Sequence, residues 1–200
     1  MRRQISVLSL LALLPLPAAA HHPMDGAMPE TLWQGFASGI GHPVIGLDHL
    51  AFLLAAGMLA AALPRGEAFR AMAAFLSAGT VGLALHMAGI GLGMTEALVS
   101  ASVLLAGLAL LITKRVPAPA LLLGFALAGL FHGHAFAEAV IGAEATPIIA
   151  YLAGLAVIQG GLMLGAMALA RATRAQWLRP AMGAAASFAG LGFLVVALVG

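Results

Sequence analysis

From residue 32 onward the sequence is a succession of long apolar runs with almost no charge inside them and only short connections between. Runs of about 20 such residues are the signature of membrane-spanning helices. Hydrophobic residues make up 62% of the chain and charged ones 8%, with a mean hydropathy of +1.07, so there is too little polar surface to clad a soluble domain. The expected fold class is all-α, a polytopic membrane helix bundle with six transmembrane helices after a cleaved signal peptide.

The expected spans cover residues 32–63, 69–90, 94–113, 118–140, 147–170 and 180–199. The first is too long for one straight crossing at about 1.5 Å per residue. Pro43, with Gly39, Gly41 and Gly46 around it, is expected to break it, leaving residues 32–41 near the outer interface with Trp33 as an aromatic anchor. Small residues at four-residue spacing, as in Gly161 and Gly165 or Gly89 and Gly93, either allow close helix approach or only fill space in an alanine-rich chain.

Residues 1–20 have two arginines, a short apolar core and a small-residue end at Ala18-Ala19-Ala20, the layout of a secretory signal peptide. Residues 21–31 then form a periplasmic tail, and residues 32–200 the six-helix domain. Sidedness follows independently from charge. Outside the signal segment every Lys and Arg falls in alternate connections: Arg65 and Arg70, Lys114 and Arg115, then Arg171, Arg174 and Arg179. Basic loops stay in the cytoplasm, so both mature termini are expected on the periplasmic side of a bacterial inner membrane.

Several function classes drop out. The arginines lie in short loops and form no basic face, which argues against nucleic acid. With no cysteine, disulfides, thiolate metal sites and Cys nucleophiles are excluded. No phosphate-binding loop is present, so the chain does not itself hydrolyse ATP.

Against this apolar background two polar clusters stand out. Residues 41–54 read GHPVIGLDHLAFLL and carry His42, Asp48 and His49; residues 131–138 read FHGHAFAE and carry His132, His134 and Glu138. An ionisable group at membrane depth costs about 2.5–3.5 kcal/mol on insertion scales, and marks a pathway or site by default. With the expected topology all of these lie in the outer half, as do His86 and Glu96, an arrangement that suits a vestibule ending in a cation site. His134 and Glu138 are four apart and could chelate from one helical face. His42 and His49 are seven apart, about 10 Å on a straight helix, so either the helix breaks between them or they are successive stations. Asp48 would bind the ion or orient an imidazole. Imidazole and carboxylate without thiolate suit Ni(II), Co(II), Zn(II) or Mn(II) rather than Cu(I). Because imidazole must be neutral to ligate, uptake should fail in acid. His86 reads more simply as a residue hydrogen-bonded within the bundle, and Glu96 either as a helix-end carboxylate or as a ligand. His21 and His22, with Met24 and Met28, either capture metal at the periplasmic end or belong to an incidental tail.

The spacing His42 to Asp48-His49 and the segment Phe131-His132-Gly133-His134-Ala135 resemble the HupE/UreJ family of nickel and cobalt permeases, over essentially the whole mature chain. The family pattern often has Gly before its acidic residue, where this chain has Ala137. The resemblance implies a secondary transporter for Ni(II) or Co(II) that supplies metalloenzymes. It also implies metal-handling roles for His42, Asp48, His49, His132 and Glu138. The ion would be substrate, with no prosthetic cofactor, and a homo-oligomer or helper subunit is left open. The competing classes are an intramembrane haem-binding protein, with His132 against His49 or His86, and an intramembrane metal-dependent enzyme.

Overall fold

The computed structural model describes residues 28–112, 116–173 and 176–199. The expected signal peptide, His21 and His22 lie outside the described residues, as do Lys114, Arg115 and Arg174. The described chain is helical, with no strand among the described residues. We number the helices α1 (Leu32–Ile45), α2 (Leu47–Ala60), α3 (Arg65–Met87), α4 (Thr95–Leu111), α5 (Ala118–Phe136), α6 (Ala145–Ala172) and α7 (Leu178–Val199); a 3-10 turn, Ala137–Val140, follows α5. Four of them, α3, α6, α7 and α5 with its 3-10 turn, are long and apolar enough to cross a membrane. The bent pair α1–α2 passes the same test together, and α4 is a shorter apolar helix.

Local sequence explains the boundaries. Thr31 and Gln34 form a capping box: the Gln34 backbone N–H donates to Thr31 Oγ1 at 3.2 Å, and Gln34 Oε1 accepts from the Thr31 N–H at 3.1 Å. Pro64 and Pro117 stand at the N-caps of α3 and α5. At the end of α3, Gly89 takes φ +75°, and the N–H groups of Gly89 and Ile90 return to the carbonyls of His86 and Leu85. This Schellman closure explains Gly89 and aims the Ile90 carbonyl back into the bundle.

The first apolar run breaks later than the proline suggests. Pro43 is accommodated inside α1, the helix continues to Ile45, and the axis turns by 79° at Gly46. Residues 32–41 belong to α1, which lies along the first turns of α6: Gly35 meets the Pro147 backbone and Gly39 that of Tyr151. Trp33 is exposed at its start, stacked beside Phe36.

With lipid as solvent, helices associate by close packing rather than by the hydrophobic effect. The principal seam, α3 on α5, is made of glycine: a methyl on Gly133 would run into the backbone of Gly79, one on Gly129 into Phe75, and one on Gly82 into Leu130. Gly107 meets Ser187 between α4 and α7, and Gly57 meets Met163 between α2 and α6. Gly161 and Gly165 have nothing within 4 Å, and neither do Gly89 and Gly93 in the α3–α4 loop, so the pairs expected from spacing are not the ones that close the interfaces.

The two ends of the bundle differ in chemistry. At one end, Arg171 donates to the carbonyls of Leu63 (2.9 Å) and Ala61 (3.3 Å), and Arg179 to that of Ile112 (3.1 Å). These arginines cap the orphan carbonyls where α2 and α4 finish. The histidines gather toward the other end.

Candidate functional site

The bend at Gly46 decides the geometry of the first cluster. It brings the imidazole centroids of His42 and His49 to 5.8 Å, with the rings nearly perpendicular. Of the two arrangements open from sequence, the structure has the broken helix. Gly46 is required for room rather than for backbone freedom, since its φ of −70° is open to any residue. A Cβ there would stand 2.7 Å from Cδ2 of His49 and 3.3 Å from Oδ1 of Asp48.

The facing wall is α5. His132 is fully buried, and its Nδ1 lies 2.8 Å from Nδ1 of His49. Neighbouring hydroxyls determine which nitrogens carry hydrogen. Ser102 Oγ commits its one hydrogen to the Val99 carbonyl at 2.6 Å, so at 2.9 Å it accepts from Nε2–H of His132. A neutral His132 then has its lone pair on Nδ1, and His49 donates to it from Nδ1–H. In the same way Tyr151 Oη donates to the Phe136 carbonyl at 2.8 Å and accepts from Nδ1–H of His42 at 2.9 Å. His42 and His49 are thus both held as tautomers with the lone pair on Nε2. Anchoring one ring nitrogen so that the other is basic is how metal-binding histidines are set up. Aromatic rings complete the wall, with Phe136 at 4.2 Å from His49 and Phe52 at 4.6 Å from His132, centroid to centroid.

The remaining histidines form a separate unit. His86 donates from Nδ1 to the His134 carbonyl at 2.8 Å. His134 donates from Nε2 to the Ile90 carbonyl at 3.1 Å and accepts the Thr95 hydroxyl on Nδ1 at 3.2 Å. Both ring nitrogens of His134 are therefore engaged in tying α3, the α3–α4 loop and α4 to the end of α5. The one-turn pairing of His134 with Glu138, expected for a continuous helix, is not what the fold provides. Helix α5 ends at Phe136, and Glu138 stands exposed on the 3-10 turn.

Asp48 is buried in the first turn of α2, where the helix dipole favours a carboxylate, and its Oδ1 accepts the His49 backbone N–H at 2.8 Å. Glu96 is exposed in the first turn of α4 and feels the charges of both Asp48 and Glu138. Three acids from three elements therefore share the histidine end of the bundle. Among the described residues no three His, Cys, Asp or Glu side chains converge as a ready-made metal chelate. The hydrogen-bond pattern gives the reason: Nδ1 of His49 and Nδ1 of His132 are turned to each other, and Glu96 and Glu138 stand exposed.

Sequence reasoning passed over Tyr151 and Ser102. A signal was present: Tyr151 is the one tyrosine in the chain, set within a long apolar run. The model of the family described as HupE / UreJ protein matches residues 8–194. The chain belongs to the HupE/UreJ family. HupE/UreJ proteins are a metal-transporter type of family and not enzymes. The chain is also similar to Protein HupE of Rhizobium leguminosarum bv. viciae, with 29% identity over 190 residues, covering 94% of this chain and 97% of that protein. No solved structure matches. In this HupE/UreJ chain the histidine motif of the bent α1–α2 pair and that of α5, far apart in sequence, meet inside the bundle through His49 and His132.

Proposed function

We propose that the protein is a secondary permease that takes up Ni(II) or Co(II) across the cytoplasmic membrane, with His42, His49 and His132 as the nitrogen donors that receive the ion. The observation that carries this reading is the buried contact between His49 and His132, 2.8 Å between Nδ1 atoms, with His42 adjoining. Two imidazoles bound to one ion at about 2.0–2.1 Å put their ring centroids about 5 Å apart. The 5.8 Å between His42 and His49 is close to that spacing. His132 joins by exchanging its hydrogen bond from His49 for the ion.

Asp48, Glu96 and Glu138 supply negative charge at the mouth, which raises the local concentration of a dication. Asp48 also lies beside the donors and offers the ion an oxygen. His134 and His86 hold the helix ends that frame the mouth, and the His21-His22 tail captures metal upstream. The basic end, with Arg65, Arg70, Arg171 and Arg179, faces the cytoplasm. A divalent ion moving inward gains about 4.6 kcal/mol per 100 mV of membrane potential, enough to concentrate it without ATP. The haem alternative fits poorly. An iron between two imidazoles needs about 4 Å from nitrogen to nitrogen, twice a metal–imidazole bond, against 2.8 Å here.

Radiolabelled nickel uptake by cells expressing the protein tests the reading. His49→Ala, Asp48→Ala and His132→Ala should each abolish uptake while the protein still inserts in the membrane. Full uptake by all three variants would remove the proposed site.

A further inference from the structure

Two tightly packed helix pairs leave a gap between them. Helix α5 lies on α3 through the glycine seam, and α4 lies on α7, where Gly107 meets Ser187 and Gly190 meets the Leu104 backbone. Where α4 passes α5 a groove of about 340 Å³ runs between the two. Phe52, Ala56 and Leu59 of α2, all buried, form its floor, and the exposed side chains of Leu105 and Leu127 its rim. Gly124 lines it with nothing within 4 Å of where a Cβ would stand. Ser102 is the one polar side chain among the described residues of the lining.

Size and charge together select the occupant. The groove follows α4 from Leu98 to Ala109 and α5 from Ala120 to Phe131, about 16 Å along each helix. Its volume divided by that length leaves a cross-section of about 20 Å². An α-helix, about 10–12 Å across with its side chains, does not enter such a slot, whereas a single hydrocarbon chain does. Water has no hold on this wall, which offers one hydroxyl where an ordered water needs about two to four polar partners. The two ends of the groove differ in charge. At one, Arg179 donates to the Ala109 carbonyl at 3.4 Å, and the exposed Trp177 stands close by in sequence. At the other, Glu96 stands exposed just before Leu98. A phosphate is drawn to the arginine and repelled by the carboxylate, and tryptophan is at home at the level of lipid headgroups.

We propose that the groove is a phospholipid site: one acyl chain fills it from the basic end, with the phosphate beside Arg179. The far end of the chain rests against Ser102, next to the bond that fixes the His132 tautomer. A lipid held in this way stays with the protein when the membrane is dissolved, unlike the bulk lipid around the bundle. The site does not depend on the permease reading.

Native mass spectrometry of the full chain in detergent, with dioleoyl phosphatidylglycerol added, tests the inference. The wild type should retain one lipid per chain. Gly124→Phe turns a ring into open groove and should lower retention about tenfold or more at an unchanged melting temperature. Ala120→Phe, at the exposed mouth of the groove, should do the same without touching the packed wall. Gly161→Phe, equally open but outside the groove, should retain lipid like the wild type. Dioleoylglycerol, with the same two chains and no phosphate, should bind about tenfold more weakly. No retained lipid in the wild type, or wild-type retention in both groove variants, overturns the inference. So does a wild-type dimer that Gly124→Phe turns into a monomer, since a second copy would then cover the groove. Dioleoylglycerol bound as well as the phospholipid removes the seat at Arg179, and with it the choice of a phospholipid.

Discussion

Gly46→Ala tests the role of the bend, because the backbone there accepts alanine and only the space around it, shared with His49, Asp48 and the His42 carbonyl, does not. The backbone at Gly46, φ −70° and ψ 98°, is accessible to alanine. On its own the change would stabilise the protein by about 0.4–1 kcal/mol through the unfolded chain. The added methyl, however, would lie 2.7 Å from Cδ2 of His49, so the ring has to give way by about 0.7 Å to reach an ordinary 3.4 Å contact. A shift of that size stretches the 2.8 Å bond from His49 to His132 by as much as the shift itself, to about 3.5 Å at most, the limit of a hydrogen bond. The bond is worth about 0.5–1.5 kcal/mol, and a donor displaced by most of an ångström also weakens ligation. Together these correspond to a Co(II) affinity lowered about tenfold. Titration of Co(II) into purified Gly46→Ala, with a thermal melt of the same sample, reads both quantities. Gly161→Ala is the control, since its Cβ would meet nothing within 4 Å. Wild-type Co(II) affinity in Gly46→Ala would refute the argument that the kink exists to seat His49.

Tyr151→Phe removes both the acceptor of His42 Nδ1–H and the donor to the Phe136 carbonyl; Co(II) affinity should fall about 10-fold or more, as when other partners of metal-bound histidines are removed, measured by the same titration. His134→Ala leaves the Ile90 carbonyl and Thr95 hydroxyl without their partner, so the melting temperature should drop while Co(II) affinity stays within about threefold of the wild type. Gly133→Ala pushes a methyl into the Gly79 backbone and should prevent accumulation of folded protein, whereas Gly165→Ala should be silent in the same membrane-fraction blot.

Much of the architecture could be read before the coordinates. The spans expected at residues 118–140 and 180–199 coincide with α5 plus its turn and with α7 to within two residues at either end, because apolar length and flanking prolines act locally. The pairing of the two histidine motifs was also foreseeable, since isolated imidazoles in apolar helices need partners. The finer points depended on neighbours distant in sequence. Pro43 lacks an N–H but keeps a helical φ, so the break moved to Gly46, where the His49 ring needs space. In a chain with 25 glycines, spacing alone cannot separate the Gly129–Gly133 seam from the open Gly161–Gly165 pair. His134 and Glu138 looked like a chelating pair only while the helix was taken to continue past Phe136. Tyr151 and Ser102 were missed because an uncharged polar side chain hardly disturbs a hydropathy pattern. In a low-dielectric interior, though, such groups fix tautomers.

The most direct test of the central claim is X-ray absorption at the nickel edge of protein loaded with one Ni(II) per chain. Scattering from two or three imidazole nitrogens at about 2.0–2.1 Å, falling by one in His132→Ala and by one in His49→Ala, is the predicted result. An all-oxygen shell, or an imidazole count unchanged by either substitution, would contradict it.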